Sequence, residues 1–435
     1  MQTNLETLSQ LERRLTMAVP AQEIDKEIEE RLKKLSRTVR MHGFRPGKVP
    51  LKIVAQQYGP QVRSEVIGDA VQKAFDRAVE ENKLRVAGNP RIEPNVVEDT
   101  SQLSFAATFE VYPELKLGDI SGVRLEKPVL AVNDADVVRT LEVLRKQRVA
   151  YVPAERAAQA QDRVTVDFTG RIDGAEFAGG KGSDVQVVLG EGRMLEGFES
   201  NITGMVAGQS KTFEVKFPEN YGNKDLAGKT ASFEVKASKV EAPVLPALDA
   251  EFAKALGVAD GDTEKMRIEV RANVEREVKK RIEADIKQKA MQALLDSTQL
   301  ELPKSLVAME MQRLVQSTRS DLEARGVKLD QLPINPELFE AQARRRVGLG
   351  LIIGELVSAK QLAPKDEQIR TLVEDYAQTY EQPGEMVRWL YSERQRLAEF
   401  EGLAIESNVV AWVLQNAKVE EKAVSFDEFM NKAAA

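Results

Sequence analysis

The sequence predicts a multidomain α+β chain: an α+β unit at the N-terminus, a small antiparallel β domain in mid-chain and an all-α region at the C-terminus. Three observations carry this. At 435 residues the chain is longer than one core usually organises. Period-two alternation between glycine-rich turns is concentrated in residues 151–243. From residue 263 onward, apolar residues recur every three or four positions almost to the end.

In chain order, QLERRLTMAVP (10–20) reads as a strand, and residues 21–41 read as a helix through Ile24, Ile28, Leu32 and Leu35. The run MHGFRPGKVP (41–50) places Phe44 and Arg45 between glycines and prolines and reads as a loop. A second helix is expected over 61–82, with Val62, Val66, Ala70, Ala74 and Ala78 in register. Strands follow from Leu84 to Val111, with Pro90, Pro94 and Pro113 as breakers. This first unit spans 1–112.

A connector, 113–150, contains a helix start at Asn133 with Asp136 three residues on. The β domain spans 151–246. VTVDFTGRI sets Val164, Val166, Phe168 and Ile172 on one face, and VQVVLG, KTFEVKF and ASFEVKASKV repeat the alternation. Residues 247–435 form the helical region, with helices expected at 263–297, 304–325, 335–360, 365–379 and 384–418. The first of these spaces Met266, Val270, Val274, Val278, Ile282 and Ile286 by four. Because a helix turns once per 3.6 residues, that stripe drifts about 40° per step. The helix therefore either changes partners along its length or leaves apolar surface open. VGLGLIIGELV (347–357) is too short to span a bilayer and reads as a buried helix segment.

Composition narrows the chemistry. With no cysteine, disulfides, thiol nucleophiles and most structural zinc sites are excluded. The single histidine, His42, leaves no room for a multi-histidine metal site and argues against a histidine-dependent triad. No cofactor or metal is expected. The N-terminus lacks a signal-type apolar core, and a cytoplasmic protein with no membrane or DNA partner is expected. GNKDLAGKT (222–230) has one residue too many for a phosphate-binding loop and precedes a strand pattern, so it reads as a turn. Against a net charge of −7, residues 31–52 hold Arg31, Lys33, Lys34, Arg37, Arg40, Arg45, Lys48 and Lys52 with no acid. That block is either a solvated face or a footprint for a polyanion.

Over nearly its full length the β domain resembles the FKBP-type peptidyl-prolyl isomerases, in VDFTGRIDGAEF, VVLGEGRMLEGFESNITGM, FPENYG and ASFEVK. The resemblance implies a pocket lined by Phe168, Phe177, Val187, Met194, Leu195, Phe198, Tyr221 and Phe233, with Phe198 at the floor position that is often tryptophan. Phe168 stands where a tyrosine is usual, and Ala178 follows Phe177 where many members carry aspartate; both changes should weaken macrolide binding. From the residues alone, Phe213 and Phe233 could equally be the core of a small sandwich.

GFRPGKVP resembles the ribosome-docking signature G-F-R-x-G-x-x-P of the trigger factor family, bacterial chaperones of nascent chains, at Gly43, Phe44, Arg45, Gly47 and Pro50, with Lys48 inside the same loop. The order of regions matches that family too. The resemblance implies an ATP-independent chaperone that docks through the 1–112 unit, isomerises Xaa-Pro bonds in the β domain and cradles unfolded chains with arm-like helices. The implied partners are nascent and unfolded polypeptides and the ribosome, at large-subunit protein twenty-three and nearby rRNA, with a homodimer away from it. Two rivals stay open: a free-standing isomerase whose basic block is a solvated face, and a binding chaperone with a silent β domain. Phe44 itself either projects as a tip or folds back on its own unit.

Overall fold

The computed structural model describes residues 3–42, 44, 47–95, 102–195, 197–219, 221–223, 225–327 and 334–432. Its first strands, β1 (Thr3–Thr7) and β2 (Glu12–Pro20), pair antiparallel, Thr3 opposite Met17. TNLET is too polar to announce a strand, and its residues are exposed or half-buried. Helix α1 (Ala21–Thr38) buries Ile24 and Leu32 as its spacing requires. Helix α2 (Leu51–Glu81) begins ten residues before the expected start (61 against 51). Pro60 lies inside it and removes one backbone donor. Val54 before the proline and Val62 and Val66 after it are all buried, so core contacts on both sides outweigh the lost bond.

Strands β3 (Val86–Asn95) and β4 (Gln102–Val111) complete a sheet of order β1-β2-β4-β3. Pro90 and Pro94 do not end β3; they sit within it, which an edge strand tolerates, and the register breaks between Ala87 and Arg91. Leu15, Met17, Ala107 and Phe109 of the sheet pack against Ile24, Val54, Ala74 and Phe75 of the two helices.

Strand β5 (Arg124–Val129) precedes α3 (Asp134–Gln147), where Asn133 and Asp136 form the expected reciprocal cap. The β domain follows: β6 (Ala150–Pro153), β7 (Arg163–Ile172), β8 (Ala175–Val188), the short helix α4 (Phe198–Ile202), β9 (Ser210–Lys216) and β10 (Thr230–Val244). Its sheet runs β6-β10-β7-β8, with β9 also on β10. One long strand can serve two partners on the same side: Thr230 to Lys236 pair with β9, and Glu241 to Val244 pair with β6. Val164, Val166, Val235 and Ala237 fill the core beneath α4.

Helix α5 (Ala250–Ala255) leads to α6 (Thr263–Ser297). The four-residue stripe packs into one core from Met266 to Ile282, and the helix changes partners only beyond it. Met266, Val270, Val274 and Val278 pack with Val137, Leu141 and Phe252, whereas Ala290, Met291, Ala293 and Leu294 pack with Ile352, Leu356, Val409 and Val413. Helix α7 (Lys304–Ala324) has no cap of its own at Pro303. Glu110 of β4 supplies one, accepting the Lys304 and Ser305 N–H groups at 3.0 and 2.6 Å. A 3-10 turn (Pro336–Phe339), α8 (Glu340–Lys360), α9 (Asp366–Ala377), α10 (Pro383–Tyr391) and α11 (Arg394–Asn416) follow. The expected helix at 384–418 is thus two, divided at Ser392 and Glu393. Strand β11 (Lys418–Ala423) then pairs with β5, and α12 (Phe426–Lys432) ends the described chain. Every residue of β11 is exposed, so it carries no alternation to read.

The chain divides into two compact units, Met1–Lys127 with Glu283–Lys422, and Pro128–Ile282 with Ala423–Ala435. Among the described residues, no helix is long and apolar enough to cross a membrane.

Candidate functional site

A cavity of about 900 Å³ opens in the β domain between β7, β8, α4 and the segment after β9. Phe198, the first residue of α4, is only 1% exposed and forms its floor. Phe168 and Phe233 meet Phe198 edge-on, with ring centroids 5.6 and 5.3 Å away, and Phe213 does so at 5.5 Å from behind. Phe177 stands against Phe217 at 5.8 Å and Phe233 at 6.2 Å. Edge-to-face contacts of this kind lock each ring by its neighbours. Glycines make the arrangement fit. A Cβ on Gly170 would lie 2.6 Å from the Phe233 ring, and one on Gly182 would lie 2.6 Å from the Phe168 ring.

Of the eight sequence-predicted pocket residues, Phe168, Phe177, Met194, Leu195, Phe198, Tyr221 and Phe233 line this cavity. Val187 does not; it is 3% exposed and packed in the core. Phe217 and Leu226 also line it, as do Arg193, Lys216 and Glu219 at polar positions. Phe217 was legible as the last apolar residue of KTFEVKF, but Leu226 lies in an irregular turn with no pattern to mark it. Tyr221 packs on Phe217 at 4.8 Å and is 38% exposed. Its hydroxyl and the Leu195 N–H have no hydrogen-bond partner among the described residues.

The lip of the cavity is the turn from Gly190 to Leu195. Gly190, Gly192 and Gly197 take positive φ of 94°, 67° and 90°, which glycine adopts without steric cost. Glu199 Oε2 accepts the Gly190 and Gly192 N–H groups at 2.8 and 3.3 Å, and Oε1 accepts that of Met194 at 3.3 Å. Burial is the largest single influence on this carboxyl and opposes its charge, but the surrounding N–H groups together outweigh it and hold its pKa below the ordinary value. Behind the turn, the Leu189 N–H donates to the Asp162 carbonyl at 3.0 Å. The buried Asp162 carboxylate accepts both Arg156 Nη atoms at 2.6 and 2.9 Å.

The loop between α1 and α2 holds the second set of predicted residues. Gly43 and Arg45 lie outside the described residues. Phe44 is 37% exposed, and its N–H donates to the Met41 carbonyl at 3.1 Å. Gly47 has φ of +79°, Lys48 and Pro50 are exposed, and the buried Val49 anchors the loop to the core. Of the basic block, Arg31 pairs with Glu27 and Asp69, and Lys33 pairs with Glu29. Lys34, Arg37, Arg40, Lys48 and Lys52 are exposed with no ion pair among the described residues.

A third feature gave no sequence signal beyond its composition. Tyr376, Tyr380, Trp389 and Tyr391 are exposed around α9 and α10. A shallow hollow of about 450 Å³ lies among Tyr380, Met386 and Trp389, with Glu381 and Glu385 beside it.

Comparison with known proteins places these features. Residues 1–144 match the family model of the bacterial trigger factor protein, residues 154–238 that of the FKBP-type peptidyl-prolyl cis-trans isomerases, and residues 262–415 that of the bacterial trigger factor C-terminus. The trigger factor of Nitrosospira multiformis is 55% identical over 435 residues, covering 100% of both chains. That of Aromatoleum aromaticum is 54% identical over 434 residues, again covering 100% of each. A solved structure described as "Promiscuous Substrate Recognition in Folding and Assembly Activities of the Trigger Factor Chaperone" covers 95% of this chain and is 99% covered itself, at 17% identity and a TM-score of 0.46, a likeness too low to carry weight. On the strength of the full-length relatives and the three matched regions, the chain belongs to the trigger factor family and is a ribosome-associated chaperone of nascent polypeptides with FKBP-type peptidyl-prolyl cis-trans isomerase activity.

Proposed function

We propose that Xaa-Pro bonds isomerise in the cavity above Phe198 and that the loop at Phe44 docks the chain on the ribosome. The observation that carries the first half is the interlocked ring set, which gives a prolyl ring an apolar cavity of fixed shape. Rotation about the amide passes through a twisted state about 20 kcal/mol above the planar one. That state has lost resonance and carries a smaller dipole, so an apolar wall disfavours it less than the planar form. Its carbonyl accepts a hydrogen bond from the Leu195 N–H or the Tyr221 hydroxyl, both of which line the cavity without a partner among the described residues. No bond breaks, so neither nucleophile nor cofactor takes part.

For docking, Lys34, Arg37, Arg40, Lys48 and Lys52, exposed and without an ion pair among the described residues, supply a sequence-independent attraction to rRNA phosphates. Phe44 enters an apolar crevice of large-subunit protein twenty-three, and Arg45 pairs with a carboxylate or phosphate. Unfolded clients contact the exposed aromatic cluster of α9 and α10, where apolar area is displayed without a closed shape. The setting of this reading is the cytoplasm, with a homodimer away from the ribosome.

Two assays on the full-length chain test the division of labour. Phe198→Ala is expected to bring prolyl isomerisation of a tetrapeptide near background while leaving ribosome co-sedimentation intact. Phe44→Ala with Arg45→Ala is expected to do the reverse. Loss of both activities in either folded variant, or of neither, overturns the division.

A further inference from the structure

We infer that Glu199 is a positioning residue for the isomerase, holding the Gly190–Leu195 lip, and with it the Leu195 N–H, in the geometry that meets the substrate carbonyl; this rests on the pocket reading above. The lip runs from Leu189 to Phe198, both buried to within 1%. The described residues between them include three left-handed glycines and no helix or strand, so no backbone ladder fixes them. The exposed side chains of Glu191 and Arg193 pair with each other and not with the core. What remains is the Glu199 carboxylate, which collects the N–H groups of Gly190, Gly192 and Met194, while that of Arg193 also faces it. Among the described residues from Gly190 to Leu195, the one backbone–backbone N–H bond, Glu191 to the Val188 carbonyl, is long at 3.5 Å; the stretch is otherwise tied at its ends, by the Leu189 N–H on the Asp162 carbonyl at 3.0 Å and the Phe198 N–H on the Leu195 carbonyl at 2.9 Å.

Glu199 follows Phe198 directly in α4, and the Phe198 N–H donates to the Leu195 carbonyl at 2.9 Å. Floor and lip are therefore tied to the same turn of helix. An anion surrounded by inward-pointing N–H groups is a stiff joint, because each bond is charge-assisted and rotation of any one peptide strands a donor. Glu199 touches no substrate, since its two oxygens face the loop backbone. Its effect on catalysis passes through the Leu195 N–H, whose placement matters because a donor displaced by an ångström no longer follows the carbonyl into the twisted state.

The test is Glu199→Gln in the full-length protein, an isosteric change that removes the charge and turns two N–H donors toward the donors of the lip. Two quantities are measured: kcat/KM for a Xaa-Pro tetrapeptide, and hydrogen exchange by mass spectrometry over residues 189–198 and over β10. The expected result is a fall in kcat/KM of about tenfold or more, with exchange faster at 189–198 and unchanged in β10. Wild-type kcat/KM in the folded variant overturns the inference, and so does a fall accompanied by faster exchange throughout the β domain, which marks general destabilisation. Should Glu199→Gln not fold, Glu199→Asp, which keeps the charge but withdraws it by one methylene, is read by the same criteria. Phe198→Ala run alongside separates the two claims: wild-type activity there sinks the pocket reading, whereas wild-type activity in the Glu199 variant alone sinks only the lip.

Discussion

Six of the 15 phenylalanines fall between residues 168 and 233, all in the β domain, whereas three of the seven tyrosines and one of the two tryptophans fall between 376 and 391, around α9 and α10. In the first region the rings are buried or half-buried, fixed edge-to-face and backed by glycines that let them lie flat on the sheet. In the second all four rings are exposed; Tyr376 and Tyr380 share a hydroxyl contact at 2.6 Å, and Arg396 lies 3.9 Å over the Trp389 ring. Phenylalanine suits a closed shape because it has no polar atom to satisfy. Tyrosine and tryptophan suit display because their polar ends remain hydrated. On the proposed reading, one chain uses aromatic surface in two ways: as a mould for one rotating bond, and as an open, shapeless surface for many clients.

The sharpest way to break that comparison is to delete a ring from the mould. Phe198→Ala is expected to cost the β domain about 3–5 kcal/mol, because a fully enclosed ring leaves a cavity its neighbours cannot fill. Chemical denaturation of the full-length chain, followed by a β-domain probe, measures it. A cost below about 1 kcal/mol would mean that the rings are loosely held and the mould is not rigid.

Glycines give the next largest contrast. Gly182→Ala puts a methyl 2.6 Å from the Phe168 ring and is expected to cost about 1–3 kcal/mol and reduce isomerisation. Gly384→Ala in α10 meets nothing within 4 Å and is expected to be neutral or to stabilise by about 0.5 kcal/mol. Equal effects would remove the distinction between a fitted and an open region.

Much of this was legible beforehand. The boundaries of α6, the cap at Asn133, the strands β7, β9 and β10 and the second half of β8 follow from period and turn chemistry alone, whereas AGGKG (178–182), which reads as a glycine-rich turn, lies inside β8. Three things were not. Pro90 and Pro94 read as breakers, and the turns of α2 before Pro60 carry no helix expectation, because a sequence does not show whether burial or an edge position compensates for a missing N–H. Strands β1 and β11 were invisible because neither buries an alternating face. In the site, Phe198 and Met194 could be placed by resemblance, but whether Val187 faces cavity or core depends on the register of β8 against β7, where Val187 opposes Val164 deep in the core. Glu199 looked like one surface acid among 69 acidic residues, since its role lies in backbone groups that carry no side-chain signature.

A pH series sharpens the rigid side further. Burial, the largest influence on the Asp162 carboxyl, opposes its charge, but Arg156 and the Gln159 N–H together hold its pKa below the ordinary value. A lowered carboxyl pKa contributes stability that is present above the unfolded value of about 3.9 and lost as pH falls through the folded one. Asp162→Asn is therefore expected to destabilise by about 1–3 kcal/mol at neutral pH. Melting curves of the two proteins should converge only below about pH 4; a gap that closes at higher pH would show that Asp162 is not the ionised partner the fold requires.

The smallest expected effect on stability is the most informative about the displayed region. Tyr380→Ala with Trp389→Ala removes two exposed rings that border the hollow of α10, and each change should shift stability by no more than about 0.5 kcal/mol. Suppression of aggregation of an unfolded client should nevertheless fall, because the variant loses two of the four exposed rings around α9 and α10. Isomerisation of a tetrapeptide should stay at the wild-type level, since neither ring belongs to the β domain. A loss of stability approaching that of Phe198→Ala would show that these rings are packing elements, and the contrast between mould and display would fail at its weaker end. Unchanged client protection at unchanged stability would move the client surface elsewhere on the chain and leave the mould intact.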